Sequence, residues 1–505
     1  MRLFEILLFL LNVILLAVIF FTRNNTRRLS SLIVSEASFV ILIIHLLVEG
    51  YRFQLLFLYC FTAIMLILCF IYHYKAPKLP QISSVKRIFA VIFLVIAFMV
   101  TAGLMYAFPV FKLPAPTGNL KVGVQSFYFV DKNRNEIFDD TKNSKRELMV
   151  SVWYPAENIS DKSSYFIPDA KIINLMAKNY GLPGFIFEHL RYVTNHSYKG
   201  VDISSASTSY PLIIINPGFE SSRFLHTSQA ENLASHGYIV VVMDHTYTTF
   251  GTEFPDGRIT TNKLQKYFPA SNDYQTNIQN RDMIGKVLTD DVSFVLNQFE
   301  LINSGQIVSN LKGKLDLNHI GILGHSIGGA TAYDASFDPR ISAGIDLDGG
   351  LYGLHDKPGL VKPFLFICSE DWFEKLEQVM NNYVYTDEEL RKMNVTREWK
   401  NKETAETKIE LEHMEKTASG GGQIMYIDKS KHLNFTDAQF FSPIFKIFGV
   451  TGKIDAERSN SIVNAYVVDF FDKFLKNKTG MLIKEPSSKY PEVKFVTSLF
   501  LNKDK

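Results

Sequence analysis

A serine can attack a carbonyl carbon when a base takes its proton, an acid orients that base and two N–H groups face the developing oxyanion. The run HIGILGHSIGGATAYDA meets the first condition, with Gly324, Ser326 and Gly328 in G-x-S-x-G spacing and Gly329 and Ala330 following. Small residues on both sides of Ser326 let a strand reverse into a helix and present Oγ at the turn, as a nucleophile elbow requires. The partners are then expected downstream, in the order Ser, Asp or Glu, His. Of the downstream histidines, His355 follows the elbow closely and His413 lies in a charged stretch, whereas His432, in DKSKHLNFTD, follows the last strand candidate and is placed best. Two acids close strand-like runs: Asp348 in ISAGIDLD and Asp371 in PFLFICSED. Asp346 shares the parity of Asp348 but lies inside its strand, and the residues alone leave Asp348 and Asp371 level. Ile327 N–H, one residue past the nucleophile, offers one oxyanion donor; the glycine-containing turn in YPLIIINPGFESS offers Phe219 N–H as the second. This is the chemistry of acyl transfer through a covalent acyl-enzyme, and it needs no cofactor and no metal.

From residue 121 onward, short apolar runs alternate with helical segments, the pattern of a mostly parallel sheet flanked by helices. Strands are expected at 122–130, 147–154, 212–215, 238–243, 320–323, 341–347, 364–368 and 424–427. With the elbow between a strand and a helix, the expected fold class is α/β, an α/β-hydrolase fold over 121–480, with a C-terminal tail at 481–505. No period of 20 to 50 residues recurs, which excludes a solenoid. The charged stretch 386–416 reads as a helical insertion on the solvated surface.

Four apolar runs precede this domain, at about 3–21, 32–48, 53–72 and 88–108. Each matches the roughly 20 residues that span a hydrocarbon core as a helix. Three further runs after the first argue for a retained transmembrane region over 1–110 rather than a cleaved signal peptide. Glu36 and His45 weaken the second run; Glu36 is read as an end residue reaching Arg27 or Arg28 at the interface. Arg23, Arg27, Arg28, Lys75, Lys78, Lys86 and Arg87 fill the first and third loops, against Arg2, Arg52 and Lys112 on the opposite flanks. Basic loops stay cytoplasmic, so the domain after the fourth helix is expected on the extracytoplasmic side of the plasma membrane. The proline-rich 111–120 reads as a short stiff linker holding it near the bilayer.

Lys and Arg total 53 against 51 Asp and Glu, a formal charge of +2, with no basic tract to track a phosphate backbone, so nucleic acid is not an expected partner. Three cysteines, two of them in an apolar run, provide no disulfide framework. DKNRNEIFDD resembles a calcium loop, but Glu136 replaces the turn glycine and Lys142 the bidentate acid, which excludes that reading. His245 and His325 read as structural.

The blocks ELMVSVWYPA, YPLIIINPGFESS, ENLASHGYIVVVMDH, GHSIGGAT, GIDLDGG and HLNFTD, in this order, resemble the platelet-activating-factor acetylhydrolases, the plasma and intracellular type II enzymes with bacterial relatives. The likeness runs from about 122 to 476 and leaves out the apolar N-terminal region and most of 386–416. It implies Ser326, Asp348 and His432 as the triad, favouring Asp348 over Asp371, and supports Phe219 and Ile327 as oxyanion donors. NPGFE departs from the family's usual Ser-His-Gly at that turn. The expected activity is that of a membrane-anchored serine carboxylic ester hydrolase acting on short-acyl or oxidised phospholipids or other small lipophilic esters. The same triad would also serve an amidase or thioesterase, and a catalytically silent sensor or scaffold is a third reading. Two apolar stretches, SYFIPDAKIINLMAKNYGLPGFIF and FFSPIFKIF, are expected near the site.

Overall fold

The computed structural model describes residues 2–22, 24–75, 83–141, 143–159, 163–354 and 357–496. Arg23, Lys78, Lys142, His355 and the end of the C-terminal tail lie outside the described residues. The chain forms two compact units.

The first unit comprises Met1–Lys112, Ile167–Val193 and Phe441–Ile444. Its helices are α1 (Leu3–Phe21), α2 (Asn24–Val48), α3 (Leu56–Lys75), α4 (Ser84–Ala107) and α5 (Ala170–Asn179). The first four are long and apolar enough to cross a membrane. Many of their large apolar side chains point outward, Phe21, Leu47 and Phe93 among them, around an apolar core that includes Leu8, Leu58 and Phe61, while Glu5, Asn12, Ser35, His45, Arg52 and Thr62 are also buried. Buried polar groups need partners, and here they find each other. Asn12 Nδ2 donates to Thr62 Oγ1 at 2.9 Å. Glu5 accepts from Arg52 at 2.8 Å and from Arg2 at 2.7 Å. His45 lies between Glu49 at 2.9 Å and Tyr59 at 2.7 Å. Because α2 starts at Asn24, Glu36 falls midway along it and is exposed, not at a helix end. Arg27 instead donates to the Thr22 carbonyl and Arg28 lies over Tyr72. The first apolar stretch belongs here too: Gln54 donates to the Ile186 carbonyl, Tyr192 to that of Tyr51, and the rings of Phe53 and Phe185 are 4.2 Å apart.

The second unit carries one ten-stranded sheet. Its strands are β1 (Lys121–Asn135), β2 (Lys145–Ala156), β3 (Ser197–Lys199), β4 (Tyr210–Asn216), β5 (Ile239–Asp244), β8 (Leu315–His325), β9 (Ile341–Leu347), β10 (Phe364–Ser369), β11 (Gln423–Ile427) and β12 (Val493–Phe495); β6 (Thr252–Glu253) and β7 (Ile259–Thr260) form a separate ribbon. The order is β12-β11-β10-β9-β8-β4-β5-β2-β1-β3, and β5 through β11 run parallel at its centre. Helices α6 (Thr227–Ser235), α8 (Tyr274–Ser304), α9 (Ile327–Ala335), α10 (Glu370–Met380), α12 (Arg397–Ala418) and α14 (Ala456–Lys476) make the long connections, with α7 (Leu264–Tyr267), α11 (Asp387–Lys392) and α13 (Ile444–Ile447) as short turns between them. Central parallel strands covered on both faces must be apolar throughout. YPLIIIN in β4 and IVVVMD in β5 are buried at every position.

The charged stretch is mostly exposed over its first half and is buried along one side of its second. Its second half is α12, in the crossover from β10 to β11, and Glu406, Glu410, Leu411, His413, Met414 and Thr417 are buried along one side. Charge on the opposite face masked that stripe.

Candidate active site

The parallel register puts Asn216, Gly324 and Asp346 in one row across β4, β8 and β9. Immediately beyond this row the strands end, and in open parallel sheets that edge is where ligands bind. Ser326 stands there with φ +58° and ψ −127°, a strained conformation costing about 1–3 kcal/mol. Its neighbours make it tolerable: a Cβ on Gly324 would overlap the Gly328 carbonyl, and a Cβ on Gly328 would overlap that of Asn216. Ser326 N–H donates to the Leu347 carbonyl at 3.1 Å, fixing the elbow to β9.

Asp348 follows β9 with φ +57° and is buried. Its N–H donates to the Ile367 carbonyl at 2.9 Å; one carboxylate oxygen accepts from Ser369 N–H at 2.5 Å and the other lies 2.7 Å from His432 Nδ1. With Nδ1 donating to that carboxylate, Nε2 of His432 carries the lone pair. The structure therefore puts Asp348, and not Asp371, on His432. Asp371 pairs with Lys431 at 3.2 Å on the rim. Asp346 accepts from Gly349 N–H at 2.8 Å, and burial holds its carboxyl well above the usual range. His413 is buried on α12 and outside this group.

Ser326, Ile327, Asp348 and His432 line one cavity of about 470 Å³, with Trp372, Lys375 and Val450 on its walls. Ile167–Val193 belongs to the helical unit; of the residues just after the second apolar stretch, Gly449 and Val450 line the cavity. On the turn after β4, Gly218 comes so near Ser326 that an added Cβ would lie 3.0 Å from the serine's own. Glu220, at φ +52°, donates its N–H to the Thr248 carbonyl at 3.0 Å, and Ser221 its N–H to that of Gly218 at 3.2 Å. Among the described residues neither Phe219 N–H nor Ile327 N–H has another acceptor.

Three contributors were not legible as such. The Ser369 amide that holds Asp348 is a backbone group with no sequence signal. His325, read as structural, donates from Nε2 to the His432 carbonyl at 3.0 Å and is kept neutral by burial. Asn216 holds the turn to the elbow, donating from Nδ2 to the Leu323 carbonyl at 3.3 Å.

Ligand atoms of Glu5, His45 and Glu49, in the helical unit, lie within 4.8 Å of one another, close enough for a metal ion. Two guanidinium groups already occupy Glu5, so the positive charge a cation would bring is supplied by Arg2 and Arg52. The calcium-like stretch is used differently as well: Asp131 pairs with Arg134 and Glu136 with Arg146.

The family model of platelet-activating factor acetylhydrolase, isoform II, matches residues 105–484. The chain belongs to this family. A probable 1-alkyl-2-acetylglycerophosphocholine esterase of Arthroderma benhamiae is 28% identical over 415 residues, covering 76% of this chain and 94% of the relative. A platelet-activating factor acetylhydrolase of Cavia porcellus is 24% identical, over 66% of this chain and 73% of the relative. Among solved structures, a ferulic acid esterase from Streptomyces cinnamoneus matches with a TM-score of 0.57 and 25% identity, covering 77% of this chain and all of its own (100%). The chain is an α/β-hydrolase and a carboxylic ester hydrolase.

Proposed function

We propose that the chain is a membrane-anchored serine esterase that cleaves short-acyl or oxidised-acyl phospholipids, or other small lipophilic esters, through an acyl-enzyme. His432 Nε2 takes the proton of Ser326 Oγ as the oxygen attacks the ester carbonyl; Asp348 holds the ring and stabilises the imidazolium that forms. Phe219 N–H and Ile327 N–H receive the oxyanion. The protonated histidine then gives its proton to the leaving alcohol, and water clears the acyl group by the same steps. The observation that carries this reading is the 2.7 Å contact from His432 to buried Asp348, in the cavity that also contains strained Ser326.

The ester and lipid preference rests on the relatives' names. The inside-out polarity of α1 to α4 supports anchoring, because hydrocarbon favours apolar exteriors and mutually satisfied polar interiors. The loop charges favour an extracytoplasmic catalytic unit at the plasma membrane. Labelling full-length protein with a fluorophosphonate tests the nucleophile: wild type should label and Ser326→Ala should not. The substrate reading is tested with p-nitrophenyl butyrate, a short-acyl phospholipid and a peptide amide. Both esters should be cleaved faster than the amide; cleavage of the amide alone would leave the serine mechanism standing and remove the esterase assignment for this site.

A further inference from the structure

A second buried histidine–aspartate pair is linked through Asn216 to the strand that carries the elbow. His245, one residue past β5, is 1% exposed, and Asp291, on α8, is fully buried. His245 Nδ1 is 3.0 Å from Asp291 Oδ2, and its Nε2 is 3.2 Å from Asn216 Oδ1. Asn216 Nδ2 is committed to the Leu323 carbonyl, which turns its oxygen toward the imidazole. Both acceptors are satisfied only by a ring that donates from both nitrogens; burial, which lowers the pKa of His245, opposes that charge, and the Asp291 carboxylate favours it. Asp291 is itself fixed by Arg146, whose Nη2 is 2.6 Å and Nε 3.0 Å away, and by Arg134 at 2.8 Å. Arg146 also donates to the Thr246 carbonyl at 2.8 Å, next to His245 in the chain.

Each side chain of this relay has a partner on both sides. Asn216 is the last residue of β4, and Pro217, Gly218 and Phe219 come directly after it. Its side chain therefore grips the elbow strand on one side and His245 on the other, while its main chain leads into the turn that presents Phe219 N–H. We propose that His245 is a positioning residue for the oxyanion-stabilising turn, acting through Asn216 and anchored by Asp291 and Arg146. The inference rests on the proposed roles of Ser326 and Phe219. It assigns the buried pair to transition-state geometry, not to a second reacting centre: neither His245 nor Asp291 lines the cavity.

Two substitutions divide the ring's bonds between them. In His245→Asn the amide stands where Nδ1 was, keeping a donor for Asp291 and withdrawing the one for Asn216. In His245→Gln the amide reaches the position of Nε2, keeping the donor for Asn216 and weakening the link to Asp291. With full-length protein in detergent and p-nitrophenyl butyrate, His245→Asn should lower kcat by about 10- to 100-fold, less than the ~10² to 10³ lost when an oxyanion donor is removed outright, with KM nearly unchanged. Affinity for a trifluoromethyl ketone, which forms a tetrahedral oxyanion on Ser326, should fall in parallel with kcat. His245→Gln should recover most of both. The reverse order, with Gln impaired and Asn normal, would assign the histidine to anchoring Asp291 and overturn the proposal, as would wild-type kcat in both variants. A variant that fails to unfold cooperatively is replaced by Asn216→Ala, which removes the acceptor from the other side and carries the same expectation for kcat and KM. If wild-type protein does not label with fluorophosphonate, the nucleophile assignment has failed instead.

Discussion

At the scale of single residues, the difference between Asp348 and Asp371 is one of reach. Both end a strand, but only Asp348 turns back through a positive φ, which aims its carboxylate across the C-terminal ends of β9 and β10 to meet the Ser369 amide and His432. Asp371 is already in the first turn of α10, half-exposed and paired with Lys431. Ser326→Ala or His432→Ala should lower kcat by roughly 10⁴ to 10⁶. Asp348→Asn should lower it by about 10⁴, since an amide opposite Nδ1 favours the wrong tautomer. Asp371→Asn should leave kcat within about threefold, because a rim ion pair contributes little. Steady-state kinetics on p-nitrophenyl butyrate check all four, and a comparable loss at Asp371 with none at Asp348 would reverse the acid assignment. Ser326 and His432 were expected from the sequence because an elbow and the loop after the last strand leave local patterns, whereas the residues alone left Asp348 and Asp371 level and only the family resemblance favoured Asp348. The Ser369 amide and the Asn216–His245 link were not expected, since each depends on register between strands far apart in the chain.

At the scale of elements, the alternation of apolar runs located the eight strands longest in sequence pattern, and β3, β6, β7 and β12 escaped because two or three residues carry no period. The buried stripe within 386–416 escaped for a different reason. Helix α12 is so rich in Glu and Lys that its mean composition reads as solvated, although Leu411 and Met414 are buried and Glu410 caps the Leu351 amide just after the catalytic-acid loop. Apolar residues likewise announce burial but not the partner: Ile167–Val193, most of the first apolar stretch included, packs within the helical unit. The buried stripe of α12 makes a test. Leu411→Ala should destabilise the protein by about 2–5 kcal/mol, as removal of a core leucine does. Glu412→Ala, on the exposed face of the same helix, should stay within about 0.5 kcal/mol. Urea unfolding of the full chain in detergent distinguishes them, and equal small effects would return α12 to the surface.

At the scale of the whole molecule, the proposed orientation rests on seven basic residues in the first and third loops against three on the other flanks, and it puts the chain after Lys112 outside. A protease added to intact cells, or to spheroplasts where an outer envelope intervenes, should therefore cleave the catalytic unit without permeabilisation; protection until the membrane is opened would place it in the cytoplasm. Stability should also depend on pH in a way set by buried groups. Burial pushes Glu231 up to about 8, and Glu410 and Asp437 up to about 7. For carboxyls raised this way the unfolded chain gives up protons first, so their contribution is full below about pH 4.5 and is lost as pH rises through 7 to 8. Buried His226, lowered to about 4 by burial, works in the opposite sense: its contribution is full above about pH 6.5 and is lost on acidification. The two slopes oppose each other between about pH 4.5 and 6.5, and only the carboxyls act between 6.5 and 8; Lys476, lowered to about 8, takes effect above that. The unfolding midpoint should thus fall from pH 6.5 to pH 8. Glu231→Gln keeps an acceptor for the His196 amide, now 2.7 Å from the carboxylate, while removing the charge, and should flatten that fall. Thermal unfolding of wild type and Glu231→Gln at the two pH values decides it: a wild-type midpoint that rises with pH, or an unchanged slope in the variant, would show that Glu231 is not held protonated in the folded chain.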